Sequence, residues 1–371
     1  AQAELGLDHI VTDEAIREMR DHIDDINFDR AEALERELRH DVMAHVRAFG
    51  EQCEAAAGII HLGATSQFVG CNTDLILHRE ALELVRRDLV RAIANLAGFA
   101  DEYKALPTLG ATHFQPAQPT TVGKRFCLGI QDLLLDLEAL EWVQTAVKAR
   151  GAKGTTGTQA TFLQLFGDDH QKVEALDALV AEKLGFASAY PVTGQTYPRK
   201  LDTKIAEVLA GIGASAHWIG VNIRILSGLK EIDEPFGSKQ VGSSAMAYKR
   251  NPMRSERMCG LSRKLVGLVG DFQATHMNQW LERTLDDSAI RRMDIPQAYL
   301  LTDAVLGLLI NISDGLIVNR APIKKRLDEE LPFMATEEIL MASVEQGASR
   351  QDIHEVIREH SLEAAKGVKM E

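Results

Sequence analysis

At 371 residues the chain is long enough for two or three domains and a sizeable buried core. Hydrophobic residues make up 45% of it and aromatics only 5%, so the core is expected to be Leu, Ile, Val, Ala and Met, a palette that favours helices over sheets. A formal net charge of −13 argues against a general binder of nucleic acid or anionic membranes, so an anionic ligand needs a local basic cluster.

Residues 1–65 predict short helices, with Thr12-Asp-Glu-Ala as a helix start and Gly58 and Gly63 closing the segment. His40 and His45 lie five apart, so on a helix they point about 140° away from each other and do not suggest a metal pair. From there the ten prolines separate long stretches of helical periodicity. In 75–100 the apolar series is Leu75, Leu82, Val85, Leu89, Ile93, Leu96 and Ala100; in 201–226 it runs from Leu201 through Ile205, Val208, Ile212, Ala216, Ile219 and Ile223 to Leu226. Similar stripes cover about 120–149, 253–280 and 297–318. No internal repeat and no strong strand alternation interrupts them.

The expected architecture is all-α, with a central long-helix domain (66–318) between a smaller N-terminal domain (1–65) and a C-terminal one (319–371). Helices well beyond the usual ~11–12 residues leave apolar faces for packing against other subunits. Cys53, Cys71, Cys127 and Cys259 form no C-x-x-C pair and are read as reduced thiols. No uninterrupted apolar run approaches the ~20 residues of a membrane span, and AQAELGLDHI lacks the regions of a signal peptide. A soluble, cytoplasmic chain is expected.

The chemistry should lie between the helices. Thr65 and Ser66, before the first long helix, suit a carboxylate or serve as an ordinary N-cap. His113, in Gly110-Ala-Thr-His-Phe-Gln-Pro, is a proline-stiffened loop histidine, either an acid–base group or merely exposed. From Lys249 to Lys264 there are six basic residues and one acid, Glu256, directly after the flexible Gly242-Ser243-Ser244. That segment reads as a surface charge run or as a mobile lid closing on an anion. Asp286-Asp287-Ser288 is a helix start with Ser288 and Arg292 on one face, a phosphate grip or simply a capped helix. The acidic Asp24-Asp25 run hints at a metal-dependent prenyl transferase, but no second full motif accompanies it.

GSSAMAYKRNP (242–252) resembles the signature loop G-S-S-x-M-P-x-K-x-N of the fumarase/aspartase superfamily. Within it the chain is similar to the animal-like adenylosuccinate lyase family, through RHDVMAH (39–45), GIIHLGATS (58–66), THFQPAQPTTVGKR (112–125), KGTTGTQA (153–160), TGQTYPRK (193–200), YKRNPMRSER (248–257) and ERTLDDSAIRR (282–292). The resemblance implies a helical homotetramer with shared sites and β-elimination of fumarate from adenylosuccinate and from SAICAR. It implies no cofactor and no metal. Ser243 is then the base, His113 the acid, and Lys249 and Asn251 stabilise the charge that develops on the substrate. The same resemblance makes substrate contacts of Arg39, His40, Asp41, Thr65, Ser66, Thr112 and Gln195, and nucleotide or phosphate contacts of Arg257, Arg283, Ser288 and Arg292. It also implies a phosphate-binding Arg-Tyr pair before residue 1 and a longer third domain after residue 371. Ala247 departs from the signature, which carries proline there. Another lyase of the superfamily, such as argininosuccinate lyase, or a non-catalytic helical scaffold, are the competing readings.

Overall fold

The computed structural model describes residues 1–370. A short 3-10 turn at Ala3–Leu5 leads into α1 (Asp13–Asp21), α2 (Phe28–Leu38), α3 (Asp41–Gln52) and the long α4 (Ser66–Glu102). A hairpin of β1 (Pro107–Thr112) and β2 (Gln115–Thr121) precedes α5 (Val122–Ala146), α6 (Ala160–Leu165), α7 (His170–Lys183) and α8 (Lys200–Gly228). Then come β3 (Ile232–Asp233), α9 (Met253–Gly267), α10 (Val269–Met277), α11 (Asp287–Ser313), β4 (Ile317–Val318), α12 (Arg320–Glu345) and α13 (Arg350–Met370). Both sheets among the described residues are two-stranded and antiparallel, β1 with β2 and β3 with β4.

Local chemistry starts α1 where expected, at Thr12, and caps two further helices at starts that were not anticipated. The Thr12 hydroxyl accepts from the Ala15 N–H at 3.3 Å, and the Asn27 and Asp169 side chains accept from the Arg30 and Lys172 N–H groups in the same way. In α4 the seven-residue spacing is realised: Leu75, Leu82, Leu89 and Leu96 are all essentially fully buried. In α8 the buried face passes through Leu209 rather than Val208, which stays partly exposed.

Three expectations change. The stripe at 253–280 is two helices, parted at Leu268 between Gly267 and Gly270, two residues that weaken a helix interior. The stripe at 297–318 begins ten residues earlier, at Asp287, with Pro296 inside the helix, and its end is taken up by β4. The segment around His113 is a strand pair, not a loop; its prolines 107, 116 and 119 are tolerated because each strand has one partner only. In addition, α11 is long and apolar enough by composition to cross a membrane, with mean hydropathy 1.4 over its best 18 residues. Its Val305, Leu306, Leu309 and Ile312 are nevertheless fully buried within the protein, as in the core helix of a globular domain.

The chain divides into two compact units, one of residues 1–86, 138–210 and 267–300, the other of 87–137, 211–266 and 301–371. The first has apolar clusters around Leu7, Phe162, Phe166 and Leu176, and around Ala31, Leu34, Ala44 and Ala48. It also contains a buried polar network. Arg291 Nε donates to Asp202 at 2.7 Å and Arg291 Nη2 to Asp74 at 2.8 Å, while the Tyr197 hydroxyl donates to Asp202 at 2.5 Å. Burial would raise the Asp202 carboxyl, but Arg291, His78 and Arg199 outweigh it and hold it far below the usual carboxylate range. In the second unit the buried Glu231 receives Arg326 from α12 and lies 3.5 Å from Arg125 of α5.

Candidate active site

In the first unit the structure joins three of the expected residues directly. Thr65 is buried, and its hydroxyl accepts from Gln195 Nε2 at 3.3 Å; the Gln195 Oε1 accepts from Arg283 Nη1 at 3.0 Å. The Gln195 N–H also donates to the Glu282 carbonyl at 3.0 Å, so two loops are stitched together beside the start of α4. A side chain at Gly194 would meet that same carbonyl oxygen at 2.4 Å, which is why the residue before Gln195 is glycine. Ser66 opens α4 itself. The cluster holds a guanidinium, an amide and two hydroxyls, a donor-rich set suited to carboxylates.

Arg283 is held from behind. Its Nη2 lies 3.9 Å from Asp287, whose carboxylate also accepts from the buried Arg199 Nε at 2.7 Å. Burial pushes the Arg283 guanidinium below its ordinary range and Asp287 opposes that, while its Nε remains without a partner. Ser288 follows Asp287 in the first turn of α11, and Arg292 lies one turn further on, exposed. Asp286-Asp287-Ser288 is therefore the expected helix start, but the Asp287 side chain turns inward to Arg199.

Arg39, His40 and Asp41 form the exposed junction of α2 and α3. Arg39 ends α2 with φ 55°, and the His40 ring caps α3 by accepting from the Met43 N–H at 3.3 Å. Asp41 pairs with Arg292 at 3.2 Å, so the triplet and the expected phosphate grip are brought together. His61, passed over in the sequence, belongs to the same surroundings: burial, then the neighbouring His40, push its imidazole below the usual range.

In the second unit, Thr112 and Gln115 face each other as the last pair of the hairpin, leaving His113 and Phe114 as a two-residue turn. Both have positive φ, 52° and 59°, a turn that normally selects Asn-Gly. Two bulky residues held this way mark a strained tip that presents the imidazole to solvent. A bulge between Leu109 and Ala111 shapes the hairpin, and a side chain at Gly110 would meet the Gln118 carbonyl oxygen at 2.2 Å.

Ser243 is half-buried in an irregular loop, and its Oγ accepts from the Met246 N–H at 3.2 Å and the Ala245 N–H at 3.4 Å. Asn251 Nδ2 donates to the Gly242 carbonyl at 3.0 Å, which ties the two ends of the signature. Lys249 and Ala247 are exposed, and Arg257 lies exposed near the start of α9.

A lyase family model matches residues 1–267, and a model described as adenylosuccinate lyase C-terminus matches residues 332–371. The chain is 57% identical to an adenylosuccinate lyase of Saccharomyces cerevisiae across 100% of its own length and 77% of the relative's. The chain belongs to the adenylosuccinate lyase family. Members of this family from Schistosoma mansoni and Pyrococcus horikoshii are 52% and 33% identical, over 100% and 91% of this chain and 77% and 74% of the relatives. A crystal structure of a fumarate lyase from Mesorhizobium sp. BNC1 superposes with TM-score 0.85 at 19% identity, over 99% of this chain and 81% of the other, which shows the shared fold. Residues that support the Thr65–Gln195–Arg283 cluster from behind had weak signals in the sequence. Asp287 reads only as part of a helix start, and Asp202 and Arg291 as charges without an assigned role; their burial depends on partners distant in the sequence.

Proposed function

We propose that the chain eliminates fumarate from adenylosuccinate, giving AMP, and from SAICAR, giving AICAR. In this reading Ser243 removes a proton from the carbon beside a succinyl carboxylate, electrons collect on that carboxylate, and the C–N bond breaks as the C=C bond of fumarate forms. His113 supplies the proton taken up by the departing nitrogen. Lys249 and Asn251 stabilise the charge that builds on the carboxylate. Thr65 and Ser66 hold the succinyl carboxylates, with Thr112, Gln195, Arg39, His40 and Asp41 as further substrate contacts; Arg257, Arg283, Ser288 and Arg292 hold the nucleotide and its phosphate.

The observation that carries the base assignment is the pair of N–H groups aimed at Ser243 Oγ. A serine hydroxyl is too weak an acid to act as a base unaided, and donors to the oxygen favour its alkoxide. With fumarate release followed by absorbance, both substrates should be turned over, and Ser243→Ala should lower kcat by about 10³-fold or more while substrate still binds. A near-normal kcat in that variant rejects the serine, and no release from either substrate rejects the activity. The strained tip supports His113 as the acid; His113→Ala is expected to lower kcat by about 10²–10⁴-fold. We further propose a homotetramer with shared sites, supported by the exposed apolar side chains Leu77 and Leu84 of α4 and Leu135 and Trp142 of α5. A cytoplasmic setting is supported by the four free cysteines.

A further inference from the structure

The loop that carries Ser243 leaves β3 and returns to α9 through a narrow neck. Glu234, 6% exposed, sits at one side of it and Arg254 at the other. The Glu234 carboxylate accepts from the backbone N–H of Ser255 at 2.6 Å and of Arg254 at 3.2 Å. Helix α9 thus receives at its first turn a carboxylate from twenty residues upstream, where free N–H groups and the positive end of the helix dipole favour it. The contact is returned, because Arg254 Nη1 donates to the Pro235 carbonyl at 2.7 Å and Nη2 reaches Gln240 at 3.4 Å.

Above the neck the two limbs of the loop touch at few points. Arg250 lies over the Phe236 ring at 4.9 Å, and Asn251 bonds the Gly242 carbonyl. Gly242 is so close to the Lys249 backbone that a side chain there would meet its carbonyl oxygen at 2.1 Å. Ser244 to Arg250 are exposed. A segment so lightly held takes its direction from its base, where a buried carboxylate and a bidentate guanidinium fix both limbs at once.

We infer that Glu234 and Arg254 are positioning residues for Ser243: a reciprocal clamp that fixes the pivot of the catalytic loop without touching substrate. The inference rests on the reading of Ser243 as the base. Glu234→Gln keeps an oxygen for one backbone N–H but sets its amide NH2 against the other and removes the charge, and Arg254→Lys leaves both bonds intact but removes the fork that reaches Pro235 and Gln240. With adenylosuccinate and the full chain, each variant is expected to lower kcat about tenfold while KM stays within about threefold, the pattern of a group felt in the transition state. Tryptic cleavage after Lys239, Lys249 and Arg250 should accelerate by a similar factor, because native-state cleavage follows opening of the loop. If Glu234→Gln lowers the melting temperature enough to obscure its kinetics, Arg254→Lys decides. Wild-type kcat, a loss of kcat at an unchanged cleavage rate, or a rise in KM alone overturns the inference. Ser243→Ala is measured alongside: full activity in it removes the serine reading, whereas an inactive Ser243→Ala beside fully active neck variants removes only the clamp.

Discussion

Asp136 on α5 is a carboxylate in the wrong place. Burial pushes it up from 3.8 to about 6, the Ser215 hydroxyl opposes that, and Asp132 adds to it; one of its oxygens has no partner. Below pH 4 the group is protonated in both folded and unfolded chains and costs nothing. Between pH 4 and 6 the unfolded chain ionises first, so stability falls as pH rises, and above 6 the full cost is present. A partly exposed site screens the charge, so that cost is on the order of 1–2 kcal/mol rather than the full shift. Asp136→Asn should therefore raise stability at pH 7.5 by about 1 kcal/mol and flatten the slope between pH 4 and 6, measured by urea unfolding. Asp287 is the opposite case. Asp287→Asn leaves the buried Arg199 without its charged partner, and a loss of about 3–5 kcal/mol is expected in the same measurement. Neither residue's burial is legible in the sequence, where Asp287 reads only as part of a helix start, because burial of a charge is a property of what surrounds it.

At the scale of elements, the helices were the legible part. A leucine every seven residues in α4 can bury one face whatever the neighbours are, so the stripe foretold the helix. The hairpin was not legible, since its strands carry three prolines and no clean alternation, and His-Phe is a poor turn pair. What makes it a hairpin lies elsewhere: Arg125 donates to the Leu109 carbonyl at 2.5 Å, and Gln118 of β2 bonds Glu337 of α12. Gly110→Ala tests how tightly that scaffold sets the His113 tip. The new methyl collides with backbone rather than with a movable side chain, so a loss of about 2 kcal/mol or more is expected, with a fall in kcat for adenylosuccinate. A variant as stable and as fast as wild type would mean that the hairpin adjusts freely.

At the scale of the whole molecule, the resemblance drawn from seven short motifs and the family to which the chain belongs agree along its length. The proposed shared sites have a direct test: Ser243→Ala and His113→Ala proteins, each inactive, should regain measurable activity when unfolded together and reassembled, and no regain at all would place both groups in one chain. The sequence alone determined the all-α class, the helical stripes and the motifs that mark the family, because periodicity, turn residues and motif spacing are local and survive without knowledge of contacts. Only the tertiary structure decided which charges are buried and with whom: Gln195 between Thr65 and Arg283, Asp287 behind Arg283, and Glu234 across the neck from Arg254. Those pairings join residues far apart in the chain, and the free energy of a buried charge depends on a partner that no local pattern names.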